Sequence, residues 1–504
     1  MVSCIYPNSI TTGRRRIKPH TMLLQLSLIS LISLAFAQQI PVIDGVIGGV
    51  PQNNSNVEPD SFRSAAITPG KLRYVENSGI CETTPGVNQV SGYADIASDK
   101  SLFFWFFESR NDPDNDPLAL WFNGGPGSSS MIGLLQENGP CRITNDSSSV
   151  THNEFGWNNE ANMIFIDQPA GVGFSHGDTT GNPVGTSQEA AVDIWTFMQI
   201  FLSDRRFTKY SNNTLAIWTE SYGGHYGPAF AAHFLSQNTA IDHGKVSGIK
   251  LNLKVLGIGD GLIDPLLQYP GYMEYAANNP YHPLVPGAII DFSAHAWTQT
   301  NGCKSQITDC YNGGTDSVCR GAQNFCNFYI LQYLAGNWND YYILTQNPDP
   351  YPPAISNYLN SISSKIGAEQ VFALSSSAVY RNFANRGDWM RNSRPDLEAV
   401  INAGVRTVIY VGDADYILNY FGVEAMVDGM QTDFSNEYRA QEFGTFTVRG
   451  QSAGVYKSAG SMSYVRFFGA GHEVPAYQWG TLARGEAAAQ MFTQTMKDQS
   501  LFST

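Results

Sequence analysis

From about residue 90 onward, short apolar runs alternate with turns and helix-compatible stretches. The runs cover residues 102–107, 118–122, 163–166, 215–218, 253–258, 407–411 and 464–468. They lack polar alternation, so they predict strands buried on both faces of a mostly parallel central sheet, with helices between them. The pattern breaks between 263 and 393. That stretch is rich in Tyr, Asn, Pro and Gly and has two helix-like pieces, 325–334 and 369–383. It reads as an insertion, a lid or cap, separating a first core part at 66–262 from a second at 394–504. Residues 38–65 are aperiodic and polar and read as an extended N-terminal arm. There is no repeat and no low-complexity tract.

The N-terminus adds a different signal. A basic cluster precedes an apolar region ending in Ala35-Phe36-Ala37. This reads as a signal peptide over residues 1–37, since an apolar run of about 15 residues is short of the roughly 20 needed to span a bilayer. Met22 is a second candidate start. The polar C-terminal tail carries no lipid-anchor signal. Without the leader's Arg14, Arg15, Arg16 and Lys18, 26 bases face 44 acids. A chain this acidic argues against nucleic acid or an anionic membrane as partner and suits an acidic milieu. Charged residues are only 15% and aromatics 12%, as in a large folded core. Cys4 lies in the leader, which leaves Cys81, Cys141, Cys303, Cys310, Cys319 and Cys326. An even count after secretion predicts disulfides. A metal site in the last four is the rival reading, but they contain no Cys-x-x-Cys pair and no histidine lies among them. Asn53, Asn145 and Asn212 open N-glycosylation sequons. Together these features predict export or delivery to a vacuole.

The chemistry gathers at strand ends. The run 215–218 leads into Glu220-Ser221-Tyr222-Gly223-Gly224, ahead of a helix-compatible stretch at 228–235. Strand, sharp turn with serine at its tip, then helix is the nucleophile elbow of the α/β-hydrolase fold. Thr219 stands where the first glycine of the usual Gly-x-Ser-x-Gly would be. An acid and a histidine should follow in that order. The strand at 407–411 runs into Gly412-Asp413-Ala414-Asp415, and the strand at 464–468 into Gly469-Ala470-Gly471-His472. Asp415 is favoured over Asp413 because it lies further into its loop. His225, four residues after the serine, reads as structural. Upstream, Asn123-Gly124-Gly125-Pro126-Gly127 follows another strand and offers backbone N–H groups, one of which can join that of Tyr222 in an oxyanion hole. A phosphate cradle is the rival reading, but it lacks the Lys and Ser/Thr of a P-loop.

These four motifs, in this order, resemble the serine carboxypeptidase family over roughly residues 65–495. The resemblance implies an α/β-hydrolase fold, acid-active release of C-terminal residues from peptides through an acyl-enzyme, and no metal or other cofactor. It implies a triad of Ser221, Asp415 and His472, with oxyanion donors at Gly125 and Tyr222. Asn123, Gly124, Glu137 and Glu220 would hold the substrate's terminal carboxylate. It also implies the nested disulfides Cys303–Cys326 and Cys310–Cys319, with Cys81–Cys141 as the third. Members often carry cysteine after the Pro-Gly of the first motif, whereas this chain has Ser128, so the disulfide from that loop to the lid should be absent and the loop's anchoring is in question. No Lys or Arg occurs in the motifs to pair with a peptide carboxylate. Two glutamates beside a third carboxylate must retain at least one proton, so binding should tighten near pH 4–5. The competing functions are an esterase or acyltransferase on the same triad and a non-catalytic binding protein.

Overall fold

The computed structural model describes residues 70–179, 181, 183–346 and 353–504. The leader, the arm at 38–65 and Asn53 lie outside the described residues. Fourteen strands are present: β1 (Lys71–Glu76), β2 (Gln89–Ala97), β3 (Lys100–Phe107), β4 (Leu118–Phe122), β5 (Cys141–Ile143), β6 (Val150–His152), β7 (Asn162–Ile166), β8 (His176–Gly177), β9 (Leu215–Glu220), β10 (Leu253–Gly259), β11 (Arg406–Gly412), β12 (Gly444–Val448), β13 (Gln451–Ala459) and β14 (Met462–Phe467). Twelve form one sheet in the order β1-β2-β3-β7-β4-β9-β10-β11-β14-β13-β12, with β8 added beside β3; β5 and β6 form a separate hairpin.

The centre of the sheet is parallel from β7 through β4, β9, β10 and β11 to β14. Both flanks are antiparallel. The seven apolar runs are the cores of β3, β4, β7, β9, β10, β11 and β14. Every residue of β4, β7 and β9 is buried, which is why those strands show no alternation. Helix α1 (Ser187–Ser203) packs beside α2 (Gly223–Asp242), which starts directly after the serine turn. Trp157 stacks on Phe492 at 4.2 Å and meets Trp121 and Trp218 edge-on at 5.3 and 4.9 Å, joining the sheet to the C-terminal helix Glu486–Met496. Among the described residues no helix is long and apolar enough to cross a membrane.

Among the described residues between β10 and β11 the sheet gains no strand. The chain instead makes helices including Pro270–Asn278, Gly287–Thr298, Cys303–Tyr311 and Asp316–Cys326. Of the two expected helical pieces, 325–334 is helical throughout and 369–383 only in part. The first spans the end of Asp316–Cys326 and a wider turn at Asn327–Leu331. In the second, only Ser377–Arg386 is helical. Residues around 373–375 are extended and bridge to Gly173 and Ser128, and tertiary pairing of this kind overrides local propensity. The three disulfides join Cys81 to Cys141, Cys303 to Cys326 and Cys310 to Cys319.

Candidate active site

The parallel strands end at a common edge, and the chemistry-bearing residues collect there. Asn123 follows β4, Ser221 follows β9, Asp260 follows β10, Asp415 follows β11, and His472 follows β14. Ser221 has φ +65°, a conformation that strains a residue with a Cβ by about 1–3 kcal/mol. The turn is held from several sides. Its N–H donates to the Gly259 carbonyl at 2.9 Å, and its own carbonyl accepts from Gly224 and Leu262 at 2.9 and 3.0 Å. The substituted elbow position explains the glycines that follow. Thr219 donates from its hydroxyl to the Gly223 carbonyl at 3.0 Å, and a Cβ on Gly223 would lie 2.5 Å from the Thr219 Cβ. A Cβ on Gly224 would lie 2.4 Å from the Leu262 carbonyl oxygen. Thr219 is accommodated because Gly223 has no side chain, while the bare Gly224 admits the Leu262 backbone.

His472 Nδ1 donates to Asp415 Oδ2 at 2.9 Å. The same carboxylate accepts from the backbone N–H of Ile417 at 3.0 Å and of Leu418 at 3.2 Å. Asp415 thereby holds the proton on Nδ1 and leaves the lone pair on Nε2, as a general base requires. Nε2 is buried and makes no hydrogen bond, to Ser221 or to any other group. Nucleophile–base contacts of this kind commonly close only when substrate binds. The His472 N–H donates to the Tyr341 carbonyl at 2.8 Å, and the Tyr341 ring meets the imidazole edge-on at 4.7 Å. Asp413, the alternative acid, turns elsewhere. It accepts from the Tyr281 hydroxyl at 2.5 Å and the Gly469 N–H at 2.8 Å, and burial raises its pKa to about 6.

The first glycine loop lies against the serine turn. A Cβ on Gly124 would sit 2.3 Å from the Tyr222 nitrogen and 2.8 Å from the Ser221 Cβ, so only glycine fits this approach. Gly125 and Ser221 remain partly exposed while their neighbours Asn123, Gly124 and Tyr222 are buried. The loop is anchored without a disulfide. Ser128 bridges Ser375, Ser129 N–H donates to the Leu374 carbonyl at 2.9 Å, and Ser376 N–H donates to the Gly127 carbonyl at 2.9 Å. Backbone pairing supplies the tether that the missing cysteine called into question.

Beside Ser221 the structure brings together Asn123, Glu137 and Glu220. Asn123 Nδ2 donates to Glu137 Oε1 and to Glu220 Oε1, each at 3.0 Å. Its Oδ1 accepts from Trp121 Nε1 at 2.7 Å and from the Gly133 N–H at 2.9 Å. The amide is therefore fully used in tying the two glutamates together. The second oxygens, Oε2 of both glutamates, are buried without another partner. Burial raises both carboxyls above the usual range, and the charge of Glu137 raises Glu220 further. Arg142 and Arg484 stand nearby, but they donate to the Glu137 and Gln136 carbonyls.

Three groups at this edge were not foreseen. Asp260 is fully buried beside Asp415, in the post-strand position shared by Ser221 and Asp415; its Gly-Asp-Gly setting was the available signal. Asp167 accepts from the Ser129 hydroxyl at 2.5 Å and the Ser130 N–H at 3.0 Å, and burial lifts it to about 7. Tyr341 belongs to the helical insertion, and no periodicity links it to His472. Of the remaining predicted positions, His225 spans the Leu262 and Arg391 carbonyls at 2.6 and 3.1 Å, and Asn145 and Asn212 are exposed.

Comparison with known proteins agrees with this geometry. The family model described as serine carboxypeptidase matches residues 79–498. Carboxypeptidase S1 of Penicillium janthinellum is 40% identical over 436 residues, covering 86% of this chain and 100% of that protein. Carboxypeptidase Y of Schizosaccharomyces pombe is 37% identical over 431 residues, covering 82% of this chain and 42% of its own length. Among solved structures, the Kex1 prohormone-processing carboxypeptidase of Saccharomyces cerevisiae superposes with a TM-score of 0.66 at 23% identity, over 84% of this chain and 92% of that one. Serine, acid and histidine at successive strand ends, a glutamate pair beside them, and a family match spanning all of these motifs lead to one assignment: the chain belongs to the serine carboxypeptidase family.

Proposed function

We propose that the protein removes C-terminal residues from peptides and proteins at acidic pH, with Ser221 as nucleophile, His472 as general base and acid, and Asp415 as the group that orients the imidazole. His472 Nε2 takes the Ser221 proton as the hydroxyl attacks the scissile carbonyl. The developing oxyanion is met by the N–H groups of Gly125 and Tyr222, as the close approach of the two loops supports. His472 then protonates the leaving amine, and water cleaves the acyl-enzyme by the same steps in reverse.

The observation that carries the exopeptidase reading is the Asn123–Glu137–Glu220 cluster beside Ser221. A peptide's terminal carboxylate would meet protons on Glu137 and Glu220, and the Gly124 backbone, rather than a fixed cation. Because Asn123 spends both donors on the glutamates, its part is to hold them; the glutamates themselves grip the substrate. Both pKa values are raised, so the protonated, binding-competent form is lost as pH rises. KM should be lower near pH 4–5 than near pH 7. The test compares a peptide with its C-terminal amide. A large preference for the free acid supports this function, whereas equal rates would support an esterase or endopeptidase.

Residues 263–393 would act as a cap over the site, since Tyr341 and the strip at 373–376 reach the triad and the glycine loop. Three disulfides fit an oxidising compartment, and with the leader they support passage through the secretory pathway to the exterior or a vacuole, with glycans at Asn145 and Asn212.

A further inference from the structure

Asp260 is buried behind the triad with φ +42°, a backbone conformation that Asp and Asn tolerate better than other residues with a Cβ. Its N–H donates to the Tyr410 carbonyl at 2.8 Å, and its Oδ1 accepts from the Gly412 N–H at 3.0 Å. Oδ2 has no donor directed at it, although it is fully buried. An ionised carboxylate oxygen stranded in this way would carry a large desolvation penalty. Yet one oxygen of Asp260, one oxygen of Asp415 and a ring nitrogen of His472 all lie within 4.8 Å of one another. Asp415 already accepts from His472 and two backbone N–H groups, so it is the accepting partner of the two.

We propose that Asp260 is a positioning residue of the triad: its carboxyl carries a proton on Oδ2 and donates it in a hydrogen bond to the Asp415 carboxylate. This satisfies the stranded oxygen, leaves one negative charge on the pair, and gives Asp415 a further fixed donor beside His472. The titratable groups facing Asp260 are Asp415 from β11, Glu220 from β9, Tyr410 within β11, and His472 and Glu473 after β14. Asp340 faces Asp415 in turn and is itself raised to about 7 by burial and that charge. Burial and the Asp415 charge push Asp260 far above the ordinary carboxyl range, in keeping with the geometry.

The test uses the full-length enzyme, a peptide substrate, and the variants Asp260→Ala and Asp260→Asn. Asp260→Ala removes the donor, so kcat should fall about tenfold or more while KM changes by less than about twofold. Asp260→Asn restores a donor at the same place and should recover most of that loss. It exchanges one neutral group for another, so the acid limb of the kcat–pH profile should stay within about 0.2 pH units of wild type. Two results would overturn the proposal. One is Asp260→Ala retaining kcat within about threefold. The other is an Asp260→Asn acid limb displaced downward by about half a unit or more, since that reports removal of a negative charge. If Asp260→Ala does not fold, the acid limb of Asp260→Asn decides alone.

Discussion

Two pairs of buried carboxyls flank Ser221, and they are built for opposite purposes. Asp415 is surrounded by fixed donors: the His472 imidazole and two backbone N–H groups. Its oxygens are satisfied within the fold, one of them by the imidazole itself. Glu137 and Glu220 share one amide and present their remaining oxygens without a donor. Their charge is left uncompensated, so protons must be retained, and those protons become available to an incoming carboxylate. Under the proposed function, the same side-chain chemistry serves as an acceptor for His472 on one side and as a receptor for a substrate carboxylate on the other. The number of fixed donors decides which.

The largest perturbation tests whether the two pairs serve one nucleophile. Ser221→Ala should lower kcat by about a millionfold and abolish labelling by an organophosphonate, with substrate binding retained. Labelling that survives in this variant would place the nucleophile elsewhere. Next, Asp415→Asn should cost about ten-thousandfold in kcat with little change in KM, because the amide supports the wrong imidazole tautomer. A loss confined to KM would break the assignment of Asp415 to the catalytic side.

A smaller effect addresses the other pair. Glu137→Gln and Glu220→Gln should leave kcat nearly intact and flatten the rise of KM between pH 5 and 7, with KM changed about ten- to a hundredfold at pH 5. Unchanged KM and unchanged pH dependence would remove the glutamates from the binding site. The smallest effect is on stability. Asp167 and Asp340 are raised to about 7 and Asp413 to about 6, against about 3.9 when unfolded. Each contributes stability that is fully present below pH 4 and lost as pH rises through its folded pKa. Glu82 and Glu108 are lowered by hydrogen bonds, outweighing burial, and act the other way, losing their contribution as pH falls through the folded pKa. The Tm should therefore be higher by a few degrees near pH 5 than near pH 7.5, and Asp413→Asn should lessen that difference. A Tm that rises toward pH 7.5 would contradict the protonated state of these buried acids.

The sequence by itself determined the parallel centre of the sheet and the order of the triad. Strands such as β4, β7 and β9 are buried throughout, so their apolar runs are visible without any partner. Ser221, Asp415 and His472 stand directly after such runs, so their shared edge follows from parallel connectivity. Of the antiparallel flanks only β3 was legible, and its direction was not. In β1, β12 and β13 buried and exposed positions mix irregularly, and pairing with neighbours makes them strands. The helices between β10 and β11 were hidden by Asn, Gly and Tyr, whose weak helix preference is overcome by packing. Only the tertiary structure decided that Ser128 is tethered by backbone pairing, that Asn123 donates to both glutamates, and that Asp260 lies against Asp415. Each of these depends on which donors face which acceptors across distant segments, and a buried carboxyl's charge follows from that census rather than from its neighbours along the chain.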